Sequence, residues 1–360
     1  MSIRVSLEDR SYAIQIADSY GQLPAQLEAL GLPKHGWIVS HRALLQRYGR
    51  ALLGPLERAG WSLTTLTIPE SESSKSLKTL QQLVHRLAPR AAMRVPVLLA
   101  FGGGVVGDVT GFVAAVFRRG VPYIQLPTTL LAQVDSAIGG KVGVDLPEGK
   151  NLLGAFYQPR LVYNHIGVLR SLSMRQRRSG LAEVIKYGVI ADPALFAFLE
   201  AQLAACLSLQ SRAVRVMVER SCRIKASVVS RDERDTGTVR LHLNFGHTLG
   251  HALEAAGKYR RWTHGEAIAI GMCAASRLSV EMGWLPEREH RRIIRLIQMA
   301  GLPTRATGIV RQRVLSALKY DKKFIHGCAR WVLPRRIGLV GVSEAVPDAL
   351  ARRVLGEHLR

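Results

Sequence analysis

The chain of 360 residues contains no run of about 18 uninterrupted apolar residues, so no segment of it reads as a membrane span. Its opening stretch, MSIRVSLEDR, lacks the apolar centre of a signal peptide, and a cytoplasmic location is expected. Cysteine is scarce. Cys206, Cys222, Cys273 and Cys328 are scattered and form no CxxC pair, which excludes a disulfide framework and a cysteine-rich zinc site. Aromatic residues make up only 6% and do not interleave with basic ones, so a stacking platform for single-stranded nucleic acid is absent. Acidic residues are few, 27 against 50 Lys+Arg, for a formal charge of +23. The arginines run from Arg4 to Arg360 without forming a basic arm. An arginine-rich background accounts for most of the excess, and no nucleic-acid partner and no membrane partner are expected.

No internal repeat or low-complexity segment breaks the chain, and 48% hydrophobic content over this length supports about two domains with sizeable cores. Residues 2–16 alternate polar and apolar side chains as strands do. Residues 37–40, 61–68, 97–101 and 123–126 read as short strands. Between them, residues 43–59, 76–87, 108–117 and 130–138 have helical spacing. Strands alternating with helices of this length imply βαβ units and a parallel, doubly wound sheet. Beyond Gln158-Pro159 helical runs dominate: 180–190, 193–209, 212–229, 246–256, 265–282 and 287–300. The expected fold class is therefore α/β. A Rossmann-like domain over residues 1–158 precedes a mainly α-helical, metal-binding domain over residues 159–360.

The chemistry concentrates in two places. At the first, GGGVVGDVTGF follows the 97–101 strand, and Gly102, Gly104 and Gly107 fit G-x-G-x-x-G on a strand-to-helix turn. Small residues there let backbone N–H groups approach a pyrophosphate at the helix's positive end. The same glycines also suit a tight turn that needs positive φ, and no acidic residue follows at the usual ribose-binding distance. PTTLLAQVDSAIGGKVGVDLPEGKN comes next and ends at Asn151.

At the second, three segments bear acids or histidines: SGLAEVIKYG with Glu183 and Lys186, LNFGHTLGH with His247 and His251, and WTHGE with His264 and Glu266. His247 and His251 stand four apart and share a helix face. Two nitrogens plus one carboxylate from separate elements make a usual catalytic zinc complement, with a position left open. Each histidine taken singly is better read as a hydrogen-bonded structural residue; the three segments together point to a metal site. The pattern is not H-E-x-x-H. Gly246, Gly250 and Gly265 weaken helices and suggest close approach of backbones.

These motifs, together with RRGVPYIQLPTTLLAQVDSAIGGKVGVDLPEGKNLLGAFYQP, HGEAIAIGM, DKK and the region of Lys225, Asp232 and Glu233, occur in one order between about residues 70 and 340. In that order the chain resembles the 3-dehydroquinate synthase family. The resemblance implies a lyase of the shikimate pathway, using NAD and Zn2+ (or Co2+). It would turn the phosphorylated sugar acid 3-deoxy-D-arabino-heptulosonate 7-phosphate into 3-dehydroquinate and phosphate. NAD oxidises C5, phosphate leaves by β-elimination, C5 is reduced again, and the ring opens and recloses by an aldol reaction. Sibling sugar-phosphate cyclases are the alternative.

Residue by residue, Glu183, His247 and His264 match the metal ligands, and His251 a proton-relaying residue beside them; Lys186 is counted with the catalytic set. Lys141, Asn151 and Asn244, with Lys322 or Lys323, match the phosphate surroundings. Arg119 matches a residue reaching in from a second subunit of a homodimer. Lys225 and Arg240 match a carboxylate clamp. The NAD contacts match Glu72, Lys75, Gly104, Val105, Val106, Gly107, Asp108, Thr128, Thr129, Asp135, Lys141, Lys150, Val168, Leu169, Arg170 and Ser171. No strong base stands out for the elimination, in keeping with the leaving phosphate taking that proton. The chain departs from the family on the adenosine side. Ser40 and Arg42 replace an aspartate and an asparagine, Ser71 interrupts Pro-Glu-Gly-Glu, and Ser171 replaces a threonine. Weaker NAD affinity and weaker rejection of NADP are expected from these changes.

Overall fold

The alternation over residues 2–16 resolves into two strands, β1 (Ser2–Val5) and β2 (Tyr12–Ala17), paired antiparallel with Ile3 opposite Ile14. The structure, a computed structural model, describes residues 1–91, 95–319, 324–325 and 328–359. It divides into two compact units, Met1–Ser171 with Val214–Glu233, and Leu172–Ala213 with Arg234–Arg360. Gln158, where the sequence suggests a boundary, lies inside the first unit.

In that first unit the chain continues through α1 (Leu23–Ala29), β3 (His35–Ser40), α2 (Arg42–Arg58), β4 (Ser62–Thr67), α3 (Leu77–Ala91), β5 (Val97–Gly102), α4 (Gly104–Val116) and β6 (Tyr123–Pro127). A hairpin of β7 (Lys141–Leu146) and β8 (Gly149–Phe156) precedes β9 (Leu161–His165). Seven strands form one sheet in the order β1-β2-β9-β6-β5-β3-β4, parallel everywhere except at β1. Its strands are apolar on both sides. Trp37, Val39, Leu98 and Ala100 pack into one core, while Ile38, Leu99, Phe101 and Ile124 pack into another. Alternation along a pleated strand puts these sets on opposite faces, so both faces must be covered. That is the doubly wound plan.

The path from β3 runs outward to β4, then back across β3 to β5. The winding therefore reverses between β3 and β5, and in open α/β sheets ligands bind at the strands' carboxyl ends where this happens. Ser40 ends β3 and Gly102 ends β5, as neighbours in the sheet. The helix expected over 130–138 is in fact a five-residue π-helical stretch, Ala132–Ser136. The β7–β8 hairpin has no counterpart in the sequence reading, because its glycine-rich strands mimic a loop.

The second unit is built on α5 (Met174–Ile190) and α6 (Pro193–Leu207). Next comes α7 (Ser211–Arg231), nearly all of which groups with the first unit. The second unit then resumes with α8 (His247–Ala256), α9 (His264–Glu281), α10 (Glu287–Met299) and α11 (Arg311–Lys319). Two short strands, β10 (Phe324–Ile325) and β11 (Cys328–Ala329), and a hairpin of β12 (Trp331–Arg336) with β13 (Leu339–Ser343), lead to α12 (Asp348–His358). α5 and α9 are buried on all sides, from Ser179 to Ile190 and over most of Gly265 to Ser279. Such helices form the centre of a helical core.

Candidate functional site

In the second unit, glycine decides how close the helix backbones come. A Cβ on Gly265 would lie 2.2 Å from the Ser179 carbonyl oxygen, and one on Gly271 would lie 1.8 Å from that of Gly246. Gly246 itself has φ +79, a conformation that favours glycine, and starts α8. These contacts draw α5, α8 and α9 together at one level. Three side chains then converge, Glu183 from inside α5 and the first residues of α8 and α9, His247 and His264. Their ligand atoms all lie within 4.8 Å of one another.

Each group is held from behind. The Nε2 atoms of His264 and His247 face Glu183 Oε1 at 3.2 and 3.4 Å. The opposite nitrogens are engaged: His247 Nδ1 sits 3.1 Å from the Phe245 carbonyl oxygen, and His264 Nδ1 3.2 Å from Glu254 Oε2. An Nδ1–H donated to either acceptor fixes the tautomer with Nε2 free to ligate, the usual support of a metal-binding histidine. Lys186 Nζ lies 2.5 Å from Glu183 Oε2, and both side chains are essentially inaccessible.

Burial opposes ionisation of Glu183, but Lys186 and the two histidines hold its carboxyl well below the ordinary value. Burial keeps His247 neutral. His264 is half-buried, and although loss of solvent opposes its charge, Glu183 and Glu254 push it up to about 10. Without a cation the carboxylates therefore retain a proton on His264. A divalent ion satisfies the same two negative charges, so the donor set fits a metal. His251 is exposed one turn along α8, its ring edge-on to that of His247 at 5.2 Å. Glu266 does not join the cluster; it closes a capping box with Thr263 and takes two bonds from Arg175. Arg240 is buried and Asn244 half-buried in the turn before α8. Sequence reasoning missed Glu254, although His247, His251 and Glu254 share one helix face at i, i+4 and i+7.

In the first unit the glycine turn follows β5 as expected. None of Gly102, Gly103, Gly104 and Gly107 has positive φ, so the turn does not need glycine for its conformation. Space is the reason. A Cβ on Gly107 would meet the Gln125 amide at 2.8 Å, and one on Gly102 the Val106 side chain at 2.5 Å. α4 thus sits tightly on the sheet with its N-terminus bare, the geometry of an anion site. Val106 is buried in the core beneath; Gly104 and Val105 remain partly accessible. Thr129 stands against Gly103, while Thr128 is buried.

Asp108, in the second turn of α4, receives Lys75 Nζ at 2.5 Å. Lys75 also donates to Asn151 Oδ1 at 2.5 Å, and Lys150 pairs with Glu72 at 2.5 Å. Burial works against the Lys75 charge, but Asp108 more than restores it. Lys225 Nζ donates to the Asp135 carbonyl and carboxylate at 2.7 and 2.6 Å. Lys141 is exposed with its ammonium over the Phe156 ring. Val168 and Leu169 are buried, Arg170 is exposed, and Ser171 donates back to the Val168 carbonyl. Arg119 is exposed on a turn where Arg118, Arg119 and Gly120 all have positive φ. Lys225 and Arg240 belong to different units. Lys322 and Lys323 lie outside the described residues.

Ser40 departs from expectation. Its side chain is fully buried and its hydroxyl has no hydrogen-bond partner, while Arg42 is exposed at the start of α2.

A doubly wound sheet with a bare helix N-terminus at its switch point, in one chain with a carboxylate–dihistidine cluster on packed helices, defines the class: α/β enzymes combining a dinucleotide-type unit with a helical metal-binding unit. The family model described as 3-dehydroquinate synthase N-terminal matches residues 65–179, and that described as 3-dehydroquinate synthase C-terminal matches residues 180–324. The 3-dehydroquinate synthase of Nostoc punctiforme is 45% identical over 357 residues, 98% of either chain. The chain belongs to the 3-dehydroquinate synthase family. Among solved structures, 2-epi-5-epi-valiolone synthase from Streptomyces hygroscopicus, with NAD+ and Zn2+ bound, has a TM-score of 0.89 at 28% identity over 98% of both chains. A 2-deoxy-scyllo-inosose synthase complexed with carbaglucose-6-phosphate, NAD+ and Co2+ has a TM-score of 0.86 at 26% identity over 100% of both. Among the described residues, no helix is long and apolar enough to cross a membrane.

Proposed function

We propose that the protein converts 3-deoxy-D-arabino-heptulosonate 7-phosphate to 3-dehydroquinate and phosphate, with NAD and Zn2+ or Co2+ as cofactors. The observation that carries this reading is the Glu183–His247–His264 cluster with its outer hydrogen bonds, in a chain 45% identical over nearly its full length to a named 3-dehydroquinate synthase. Identity to the two sibling cyclases is lower, 28% and 26%, which favours this substrate over theirs.

When bound, NAD supplies reversible hydride removal and the metal supplies Lewis-acid polarisation of a hydroxyl. Glu183, His247 and His264 hold the metal, with Lys186 balancing the Glu183 charge. His251 accepts and returns a proton at its exposed ring. Asn151, Lys141, Asn244 and Arg119, with Lys322 or Lys323, bind the phosphate, and Lys225 and Arg240 take the carboxylate. Arginine suits that task because its planar fork binds a carboxylate bidentately. Glu72, Lys75, Thr128, Thr129, Asp135, Lys150 and residues 104–108 and 168–171 hold NAD. The α/β unit is the NAD-binding domain and the helical unit carries metal and substrate groups. The protein works in the cytoplasm as a homodimer in which Arg119 serves the partner's site, a role that its outward, positive-φ turn supports.

Incubation with the heptulosonate phosphate, NAD and Zn2+ should release phosphate and dehydroquinate in equal amounts without accumulating NADH. Chelation or His264→Ala should stop both, and metal should rescue only the chelated wild type. NADH accumulation without phosphate release would replace this reading with dehydrogenase chemistry. Mixing inactive Arg119→Ala and His251→Ala subunits should regenerate activity; no recovery would remove Arg119 from a shared site.

A further inference from the structure

Asn151 is over-determined for a residue on an exposed hairpin. Its φ is +55, in the left-handed region that asparagine enters more readily than other side-chain-bearing residues. Its backbone N–H is bound by Asp145 Oδ1 at 2.9 Å. Its side-chain oxygen accepts from Lys75 Nζ at 2.5 Å. A lysine ammonium only donates, so the oxygen must face it and both amide N–H donors face away. The hairpin is further tied to the Lys75 segment by the Asp145 N–H on the Lys75 carbonyl at 2.9 Å, and by the Lys150–Glu72 pair. Lys75, only 7% exposed, holds Asp108 with a second donor. The ion pair with Asp108 offsets the burial of the ammonium, and a second donor of the same ammonium holds the Asn151 amide.

We propose that Lys75 is a positioning residue for the substrate's phosphate: it locks the Asn151 amide with both N–H donors outward, and its bond to Asp108 couples that orientation to the dinucleotide turn at the start of α4. This rests on the assignment of Asn151 to the phosphate made above.

The test measures inorganic phosphate binding by calorimetry to the NAD- and Zn2+-loaded protein, with a double-mutant cycle. Lys75→Met should weaken phosphate binding about threefold to tenfold, the worth of one neutral hydrogen bond, and Asn151→Ala by a similar factor. The double variant should be no weaker than Asn151→Ala alone. In turnover at saturating NAD, Lys75→Met should raise the substrate KM by the same factor as Asn151→Ala. Lys75→Met/Asp108→Asn guards against loss of fold, since it leaves no unpaired carboxylate, and should show the same phosphate loss. Additive losses, or unaltered phosphate binding in that folded double variant, would overturn the proposal. So would a wild type that binds no phosphate. A wild type that binds phosphate but does not turn over the heptulosonate phosphate would defeat the functional reading, while the cycle still decides the role of Lys75.

Discussion

Gly271→Ala adds one methyl group to the middle of α9 and should cost both stability and metal. Its Cβ would lie 1.8 Å from the Gly246 carbonyl oxygen and 3.1 Å from the Gly250 nitrogen, all backbone atoms that cannot rotate aside. α8 and α9 must therefore part by more than an ångström. Overpacking of this kind costs about 1–3 kcal/mol, occasionally more, against a helix-propensity gain of about 1 kcal/mol. Because the clash is with backbone, the upper end applies, and a net loss of about 2 kcal/mol should lower Tm by about 4–8 °C. The same parting moves His247 and His264, which open the two helices. Metal–ligand distances tolerate only about 0.2 Å, so zinc affinity should fall about 10-fold or more. Calorimetric melting in chelator and competitive zinc titration measure the two effects. Gly54→Ala in α2 is the control, with only the end of the Arg58 side chain nearby at 3.4 Å. It should gain about 0.5–1 kcal/mol and leave the metal untouched. A Gly271→Ala protein as stable and as tight for zinc as wild type would refute the account of how glycine assembles this centre.

Glu254→Gln should weaken Zn2+ binding about 10-fold, because the outer carboxylate that orients His264 becomes neutral; a Kd within twofold of wild type would show that His264 needs no such support. Ser40→Asp puts a carboxylate at a fully buried position without a partner, so its urea midpoint should fall and NAD binding should not tighten; tighter NAD in a protein of undiminished stability would restore the ribose-ligand reading. Burial pushes His165, His290 and His358 below the ordinary histidine value. The unfolded chain then binds more protons in acid, so their stabilising contribution is complete above about pH 6.5 and is lost as pH falls from that value through the lower folded-state values. Urea midpoints of the metal-loaded protein should drop between about pH 7.5 and pH 5.5, and His290→Gln should reduce the drop; equal midpoints at both values would contradict it.

The sheet was legible because its strands are apolar on both faces and its helices are amphipathic, so two periods alternate along residues 35–127. The π-helical stretch at Ala132–Ser136 and the β7–β8 hairpin were not. Gly143 and Gly154 lie across the hairpin where a Cβ on either would strike the facing strand's carbonyl, at 2.6 and 2.2 Å. Contacts between strands, invisible in one segment, decide those glycines. At the site, histidine spacing announced α8, but what closes the cluster is the crossing of α5, α8 and α9 at glycines far apart in sequence. The adenosine side misled for a related reason: Ser40 looks available in sequence, and its burial is set by strands on either side.

One compositional signal points to the same places. Only eleven of the 50 basic residues are lysine. Seven of them, Lys75, Lys141, Lys150, Lys186, Lys225, Lys322 and Lys323, stand at positions assigned by resemblance to substrate, cofactor or catalysis. Elsewhere arginine serves, as in the exposed pairs Arg292–Glu200, Arg330–Glu344 and Arg353–Glu281. Such surface pairs contribute little to stability. The buried lysines differ. Lys186 meets Glu183 with about 1% of its side chain accessible, and Lys75 and Lys225 each serve two acceptors in nearly closed surroundings. A guanidinium fork is wider than an ammonium and fixes its five donors in a plane, so it cannot replace a compact point charge there. In a chain whose background favours arginine, a lysine that persists marks a place where the shape of the cation matters as well as its charge.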